Sequence, residues 1–265
     1  MSEALLEVKD LTVDFRGKKA LRGVNFSVYP GEILSLVGES GSGKTITALA
    51  IMDLLPLSAS RPSGRVYFKG KDVYGLSREE IRNMRGNNIG MVFQEPFTAL
   101  NPVIRIGDQI SETIAAHTDL PAEDIAGKVK ELLSTVKLSP DAASLYPHEL
   151  SGGMRQRAML AMALSCDPDI LMLDEPTTAL DVSIQKHILD LIKSIQRERG
   201  LTILFITHDF SVVNAVADRV CVMNQGKVVE CGHKREVLHS PRHEYTKKLI
   251  DSIPRLGDKR ERLPV

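Results

Sequence analysis

Consecutive residues from Gly38 to Thr45 have the types and spacing of a phosphate-binding loop. They read Gly-Glu-Ser-Gly-Ser-Gly-Lys-Thr and match G-x-x-x-x-G-K-[ST] in full. The glycines let successive backbone N–H groups turn towards one anion, where they cradle phosphate oxygens. A lysine at this place adds positive charge for the β- and γ-phosphates, and the threonine hydroxyl suits Mg²⁺. The loop therefore predicts ATP and Mg²⁺ as cofactors, and its candidate binding residues are Gly38, Glu39, Ser40, Gly41, Ser42, Gly43, Lys44 and Thr45.

An acidic pair, Asp174 and Glu175, follows the apolar run 170–173. A strand that ends in Asp174 would place a carboxylate where it can hold the Mg²⁺ shell, together with Thr45. Glu175 would then polarise the attacking water as general base. An acidic pair after a strand is often only a solvated loop, but after a phosphate loop it predicts the second half of a nucleotide site.

Ser151, Gly152 and Gly153 form a third candidate, at the predicted start of a helix. Adjacent glycines permit close backbone approach, and a serine with a helix N-terminus makes an anion site. The alternative is an ordinary serine cap on a helix. The residues alone do not decide between these two interpretations.

The elements that would position these residues alternate between strands and helices. Apolar or alternating runs predict strands at 5–15, 24–29, 33–37, 64–73, 89–93, 170–173, 201–207 and 219–230, the last as a hairpin turning at 224–226. Helices are predicted at 44–55, 122–136, 152–165 and 183–199, with a short helix and a charged tail after Pro241. Buried apolar strands that alternate with helices indicate an α/β fold with a mostly parallel sheet. The early alternating strands would form an antiparallel flank, and the helical block at about 98–165 an inserted subdomain.

Composition excludes several classes of protein. The 265 residues carry 34 basic and 34 acidic side chains, which argues against a sequence-independent grip on nucleic acid. The N-terminal residues lack the pattern of a signal peptide, and no apolar run is long enough to span a bilayer. The three cysteines, an odd number, are expected to be unpaired, semi-buried side chains in a reducing compartment.

In their order along the chain, these motifs resemble those of ATP-binding cassette (ABC) ATPases over roughly residues 5–240. The resemblance implies the ABC ATPase fold, and it makes Ser151–Gly153 the family signature, with Met154 in place of the commoner glutamine. Gln94 matches the family's Q-loop glutamine, which contacts Mg²⁺ and water, and 179–181, with Asp181, matches the D-loop. His208 matches the switch histidine at the γ-phosphate. The catalytic candidates are therefore Glu175, His208 and Gln94, and the metal candidates are Thr45, Gln94 and Asp174.

Phe15 lies where the family places an aromatic side chain that stacks on adenine. It could equally be a core residue of the flanking sheet. The family also packs two cassettes head to tail, so that each ATP lies between one phosphate loop and the other subunit's signature. The resemblance thus implies a second ABC ATPase subunit, identical or different, with a lean towards a heterodimer.

Two local features resemble the peptide/nickel importer branch of the family. The first is the block 95–102, Glu-Pro-Phe-Thr-Ala-Leu-Asn-Pro; the second is 240–246, Ser-Pro-Arg-His-Glu-Tyr-Thr, in which Glu244 replaces the usual proline. Some members of this branch carry a longer tail with clustered cysteines for an iron–sulfur cluster, and none is expected here. A metal site formed by Cys231, His233, His239 and His243 is a weaker alternative to a solvated tail, because their spacing matches no defined ligand set.

This resemblance implies an energy-coupling ATPase subunit of a binding-protein-dependent importer for peptides, nickel or related small solutes. Its partners would be integral membrane permease subunits, the second ATPase subunit and, indirectly, an extracytoplasmic solute-binding protein, without nucleic acid. It would lie peripherally at the cytoplasmic face of the cell (inner) membrane. Residues 1–240 would form the ATPase domain and 241–265 a short importer-type tail. A non-transport ABC ATPase acting on nucleic acid or ribosomes is the alternative, and a nucleotide sensor without turnover is a third interpretation.

Overall fold

A computed structural model describes residues 3–93, 99–178 and 180–252. Its strands are β1 (Leu6–Phe15), β2 (Lys18–Val28), β3 (Ile33–Val37), β4 (Ser63–Phe68), β5 (Lys71–Asp72), β6 (Ile89–Val92), β7 (Ile170–Asp174), β8 (Thr202–Thr207), β9 (Arg219–Asn224) and β10 (Lys227–His233). Its α-helices are α1 (Lys44–Ile51), α2 (Arg78–Asn83), α3 (Ile106–His117), α4 (Ala122–Thr135), α5 (Gly152–Ala163), α6 (Val182–Arg199), α7 (Phe210–Val216), α8 (Lys234–His239) and α9 (Glu244–Asp251).

The strands form two sheets. The six-stranded sheet has the order β10-β9-β3-β8-β7-β6, and all its pairs are parallel except β9 with β10. Its three central strands, β3, β8 and β7, are buried along their whole length, which explains their continuous apolar sequences. The second sheet, β2-β1-β4-β5, is antiparallel and alternates between buried and more exposed positions. The predicted α/β architecture with an antiparallel flank is confirmed.

Helices α3, α4 and α5 lie between β6 and β7 along the chain. Their apolar side chains, such as Ile110, Leu132 and Leu160, belong to one hydrophobic core. This core also contains side chains from one face of β7 and β8 and from helix α6. A second core fills the space between the two sheets and α1. The helical block therefore rests directly on the side of the parallel sheet opposite the antiparallel flank.

Helix α1 is shorter than the sequence indicates. A helix to residue 55 is wrong, because α1 ends at Ile51 and Asp53 adopts a left-handed conformation with φ 51°. Prolines signal where a helix cannot continue, but nothing in this sequence marks the earlier reversal at Asp53. Three helices, α2, α7 and α8, have no counterpart in the sequence prediction.

The hairpin of β9 and β10 turns at Gln225 and Gly226, as predicted, and its second strand extends to His233. The expectation of three unpaired cysteines is wrong. Cys221 and Cys231 lie directly opposite each other in the hairpin register and form a disulfide, and Cys166 is free. An odd cysteine count says nothing about such a register, since only the paired strands bring the two side chains together.

Two features are not found in the described residues. No helix in 3–93, 99–178 and 180–252 has the length and apolar character needed to cross a membrane. Over the same ranges, no group of three or more His, Cys, Asp or Glu side chains is arranged to hold a metal ion.

Candidate functional site

The candidate site lies at the carboxyl edge of the parallel sheet. The phosphate loop follows β3, the acidic pair lies at the end of β7, and His208 directly follows β8. These three strands are adjacent and parallel, so their carboxyl ends open on the same side. In open α/β sheets this edge is where ligands bind.

Gly38 and Gly43 of the phosphate loop are packed closely against neighbouring strands. A Cβ atom on Gly38 would collide with the backbone oxygen of Met223 in β9. Gly43 has φ 107°, and a Cβ there would lie 2.8 Å from Leu21 Cδ2 in β2. The loop is thus pressed between the neighbouring strand β9 and the antiparallel flank.

Lys44 is buried and 5% exposed, and its ammonium group faces the loop that precedes it. Its Nζ donates hydrogen bonds to the backbone oxygens of Gly38, at 2.8 Å, and Glu39, at 3.0 Å. Burial lowers the pKa of Lys44, while the carboxylates of Glu175 and Asp174 oppose this shift. A phosphate would therefore meet a desolvated cation with two acidic side chains nearby.

Asp174 is 1% exposed, and burial raises its pKa. A hydrogen bond with the Thr45 side chain and the positive charge of Lys44 both lower the pKa of Asp174 and so oppose the effect of burial. Its Oδ1 atom is buried without a hydrogen-bond partner in the structure. A buried carboxylate oxygen with unused acceptor capacity beside a threonine hydroxyl is a donor set that suits a hard, oxygen-preferring cation such as Mg²⁺.

Glu175, the second residue of the acidic pair, is hydrogen-bonded to strand β8. Its backbone adopts a left-handed conformation with φ 48°, and its N–H donates to the Ile206 oxygen at 2.9 Å. Its Oε1 lies 3.0 Å from His208 Nδ1, and its Oε2 accepts a hydrogen bond from Thr178 Oγ1 at 3.0 Å. Because an ionised carboxylate only accepts, the histidine Nδ1 would be the donor. Glu175 is thus held from two sides.

A cavity of about 200 Å³ opens over the phosphate loop and is lined by Lys44, Thr45, Glu175 and Ala20, among others. The structure therefore brings the phosphate loop and the predicted base together around one space. Phe15 is not among the lining residues. It is half-buried at the end of β1 and packs against the core between the two sheets, so its adenine-stacking role stays a prediction.

Ser151 and its two glycines lie elsewhere on the chain. Ser151 Oγ accepts a hydrogen bond from the Met154 backbone N–H at 3.3 Å and so caps α5. Ser151 and Gly152 are exposed, and Gly153 packs against α6, where an added Cβ would lie 2.8 Å from Ile184 Cγ2. None of the three lines the cavity above the phosphate loop. Both interpretations of the motif, helix cap and anion site, remain compatible with this geometry.

Asp181 is exposed and precedes α6 without capping it through its side chain. The neighbouring Val182 is 83% exposed. The remaining candidate, Gln94, and Ala179 lie outside the described residues.

Sequence reasoning missed two residues that support the site. Thr178 fixes Glu175, and its position three residues further along the chain is a weak signal that a turn would return it to the carboxylate. Met223 packs beside the phosphate loop and its Sδ accepts a hydrogen bond from the Thr47 hydroxyl at 3.8 Å. No pattern near Met223 points to the loop, because β9 becomes its neighbour only through the strand order.

Two family models match this chain. Residues 21–178 match the model described as ABC transporter. Residues 229–265 match the model described as oligopeptide/dipeptide transporter, C-terminal region.

Curated relatives match over almost the whole chain. The dipeptide transport ATP-binding protein DppD of Bacillus subtilis is 48% identical, with 96% of this chain and 78% of the relative covered. The oligopeptide transport ATP-binding protein OppD of the same organism is also 48% identical, with coverages of 95% and 72%.

Solved structures share the fold. The structure of cbiO1 from Clostridium perfringens, part of the ABC transporter complex cbiONQ, superposes with a TM-score of 0.80 at 31% identity and covers 90% of this chain and 92% of that one. The dimeric post-hydrolysis structure of the ATP-binding cassette MJ0796, bound to ADP and Pi, has a TM-score of 0.77 at 29% identity, with coverages of 87% and 99%.

Proposed function

Since this chain belongs to the ABC transporter family and is an ATPase of that family, we propose that it is the energy-coupling subunit of a peptide importer. The observation that carries the proposal is the match of residues 229–265 to the oligopeptide/dipeptide transporter C-terminal region. Relatives named for dipeptide and oligopeptide transport, at 48% identity, support the same choice. The chain could instead energise the import of nickel or another small solute, and the transport test below distinguishes these cargoes from peptides.

We assign the chemistry of hydrolysis to the acidic pair and its supports. Glu175 takes a proton from the attacking water, whose oxygen bonds to the γ-phosphorus while the bond to the ADP oxygen breaks. Thr178 and His208 hold the Glu175 carboxylate in its orientation through the two hydrogen bonds at 3.0 Å. Lys44 and the backbone N–H groups of Gly38–Thr45 bind the phosphates. Gln94, if it contacts Mg²⁺ and water as the resemblance implies, completes the catalytic set.

Thr45 and Asp174 would hold Mg²⁺, directly or through water. Bound there, the ion would neutralise negative charge on the β- and γ-phosphates. The unpartnered Oδ1 of Asp174 and its raised pKa both support this assignment, because a cation would compensate a carboxylate that the protein alone leaves unsatisfied.

A second ATPase subunit would complete each nucleotide site. Ser151 and Gly152 are exposed, and so are Asp181 and Val182, so a partner could reach them. We propose that the signature contacts ATP bound to the phosphate loop of the other subunit, with Asp181 near the same interface. We expect the second subunit to be a different ATPase chain. Purification from the native membrane would identify it.

We also propose a division of the chain into an ATPase domain and a C-terminal tail. Residues 1–240 act as the ATPase domain, with the helical block at about 98–165 as its subdomain, and 241–265 act as the importer-type tail. The subunit would bind permease subunits at the cytoplasmic face of the membrane and respond indirectly to a solute-binding protein outside the cytoplasm. The balanced 34 basic and 34 acidic residues give no reason to expect nucleic acid as a partner.

The test is transport by the purified complex. The chain would be isolated from membranes with its associated subunits, placed in vesicles and supplied with the solute-binding protein. We expect ATP hydrolysis to rise when the binding protein carries a di- or oligopeptide, and labelled peptide to enter the vesicles. Hydrolysis without movement of peptide, but with movement of nickel, would replace the proposed solute. Hydrolysis stimulated by nucleic acid and not by any solute would overturn the importer assignment.

A further inference from the structure

The turn of the β9–β10 hairpin lies beside the phosphate loop and is hydrogen-bonded to it. The backbone N–H of Gly226, in this turn, donates to the Ser42 backbone oxygen of the loop at 2.9 Å. The Gly226 oxygen accepts a hydrogen bond from the Arg22 backbone N–H of β2 at 2.8 Å. Gly226 has φ 79°, and a Cβ atom there would collide with the Ala20 backbone oxygen. The turn is therefore fitted closely between the phosphate loop and the antiparallel sheet.

The two strands of the hairpin are held differently in the fold. Strand β9 pairs in parallel with β3, which leads into the phosphate loop, and its Met223 packs beside that loop. Strand β10 pairs with β9 and forms the edge of the six-stranded sheet. The position of the turn at the loop therefore depends on the pairing of an edge strand with β9.

One covalent bond joins these two strands. Cys221 of β9 and Cys231 of β10 are opposite each other in the register and form a disulfide. The bridge links positions ten residues apart and encloses the turn. A cross-link of this kind limits the conformations that become available when the strands separate. It should therefore suppress local opening of the edge strand and keep Gly226 against Ser42.

The two cysteines of the bridge differ in their surroundings. Cys221 is fully buried, whereas Cys231 is exposed. The Arg219 guanidinium donates a hydrogen bond to the Cys231 sulfur at 3.9 Å. A neighbouring cation stabilises a thiolate. Cys231 thus combines access for a reductant with a positive charge that favours its release as a thiolate.

A dithiol reductant would open the bridge by thiol–disulfide exchange. One thiolate of the reductant bonds to the Cys231 sulfur, the bond between the two cysteines breaks, and the Cys221 sulfur leaves and takes a proton. The second thiolate of the reductant then displaces Cys231, whose sulfur leaves beside Arg219 and takes a proton. The two cysteines gain two electrons and two protons in total, and the reductant becomes a disulfide.

We propose that the Cys221–Cys231 bridge is a redox switch for ATP binding, in which the closed bridge holds the hairpin turn against the phosphate loop and reduction loosens it. The inference rests on the proposed nucleotide site and on the proposed place of the subunit at the cytoplasmic face of the membrane. Disulfides are rare in the cytoplasm, and those that occur there are usually transient and catalytic or redox-sensing. A bridge at this position would therefore open and close in response to thiol reductants.

The first test measures the Kd of the full chain for Mg-ATP at set ratios of reduced to oxidised dithiothreitol, while alkylation and mass spectrometry count the free thiols. As the free thiols rise from one to three, we expect the Kd to rise about threefold to tenfold, the effect of roughly one hydrogen bond. Cys231→Ser cannot form the bridge and should show the Kd of the reduced chain at every ratio. Cys166→Ser is the matched control, because Cys166 is free and lies between α5 and β7. It should keep the full redox response.

A second pair of variants tests the contact through which the bridge would act. Gly226→Ala introduces a collision with the Ala20 oxygen, so it should raise the Kd of the oxidised chain. Gly70→Ala is the matched control, since Gly70 has a similar φ of 75° in the turn between β4 and β5, and a Cβ there meets no heavy atom within 4 Å. Both variants should lower the Tm through backbone strain, but only Gly226→Ala should weaken ATP binding.

The outcomes separate the inference from its premises. A constant Kd while the number of free thiols changes, or a bridge that does not form in oxidised dithiothreitol, would overturn the inference. A redox response that persists in Cys231→Ser, or that is lost in Cys166→Ser, would overturn it as well. An unchanged Kd for Gly226→Ala would show that the turn does not support the loop. If the unaltered chain failed to bind ATP in both redox states, the proposed nucleotide site itself would be wrong.

Discussion

The phosphate-loop region and the signature region differ in how complete they are within one chain. Lys44, Asp174 and Glu175 are 5%, 1% and 8% exposed, and each contacts neighbours that orient it. Ser151 and Gly152 are exposed, and Ser151 makes one local cap bond at 3.3 Å. One region is therefore assembled before any ligand arrives, whereas the other presents its groups outward.

This difference assigns separate tasks to the two regions. A buried cation beside buried carboxylates gives strong electrostatic interactions, because the local dielectric is low and water is excluded. An exposed helix N-terminus gains that strength only when a partner covers it. The comparison predicts that substitutions in the first region alter ATP binding or stability in the isolated chain. Substitutions in the second region should reduce ATP hydrolysis only when two subunits are paired.

The largest effect is expected from Glu175→Gln, which removes the proposed base. Hydrolysis should fall about 10²-fold or more, while the Kd for ATP changes little, because glutamine keeps the shape of the side chain. The measurement is phosphate release by the complex together with ATP titration of the chain. Glu80→Gln is the control, since Glu80 sits in a capping box on α2 that glutamine also satisfies. Undiminished turnover in the Glu175 variant would mean that another group activates the water.

Gly38→Ala tests whether the phosphate region is preformed by close packing. The added methyl group would collide with the backbone oxygen of Met223, so the loop must shift, and we expect the Kd for ATP to rise about tenfold or more. Gly127→Ala is the matched control in α4, because an added Cβ there meets no heavy atom within 4 Å. It should stabilise the chain by about 0.5–1 kcal/mol without altering affinity. Equal affinities in the two variants would show that the loop adapts freely.

The sequence predicted the elements of both regions, including the start of α5 at Gly152, but not the contacts that complete the first region. Strands β3 and β7 are recognisable from short apolar runs, and their parallel order places Lys44 and Asp174 at one edge. The contacts that complete the region come from distant elements with no pattern of their own. Met223 reaches the phosphate loop through the order of strands, and Thr178 reaches Glu175 through a turn.

The same limit applies away from the site. The pairing of Cys221 with Cys231 depends on the register of the β9–β10 hairpin, which the cysteine count does not encode. The end of α1 depends on a single left-handed residue, Asp53. Periodicity thus identifies elements, whereas contacts between them depend on packing that the sequence does not display.

Ser151→Ala tests the outward region, with a smaller expected effect. The isolated chain should bind ATP with unchanged Kd, because Ser151 does not line the cavity above the phosphate loop. Hydrolysis by the paired subunits should fall about tenfold, the loss of one hydrogen bond to a charged group. Ser77→Ala is the matched control, since it removes a cap bond of the same 3.3 Å length from α2. Both variants should lose about 1 kcal/mol of stability, and only the first should lose hydrolysis. A weakened Kd in the isolated Ser151 variant would contradict the division between the regions.

Asp174→Asn tests the phosphate-loop region through the pH dependence of folding stability, and its expected effect is the smallest. The raised pKa of Asp174 means that the native chain binds more protons than the unfolded chain above the ordinary value of 3.8. Its stabilising contribution is therefore present below that pH and is lost as the pH rises through the native pKa. Relative to the asparagine variant, the unaltered chain should lose about 1.4 kcal/mol of unfolding free energy for every pH unit that separates the ordinary pKa from the native one. Denaturant titrations across this range, without nucleotide, measure the difference.

Adding Mg-ATP should restore stability to the aspartate form far more than to the asparagine form, because a bound cation compensates only a charged carboxylate. Parallel curves for the two proteins at every pH would mean that the buried carboxylate of Asp174 is already compensated within the chain. The preformed region would then need no cation, and its completeness would rest on protein contacts alone.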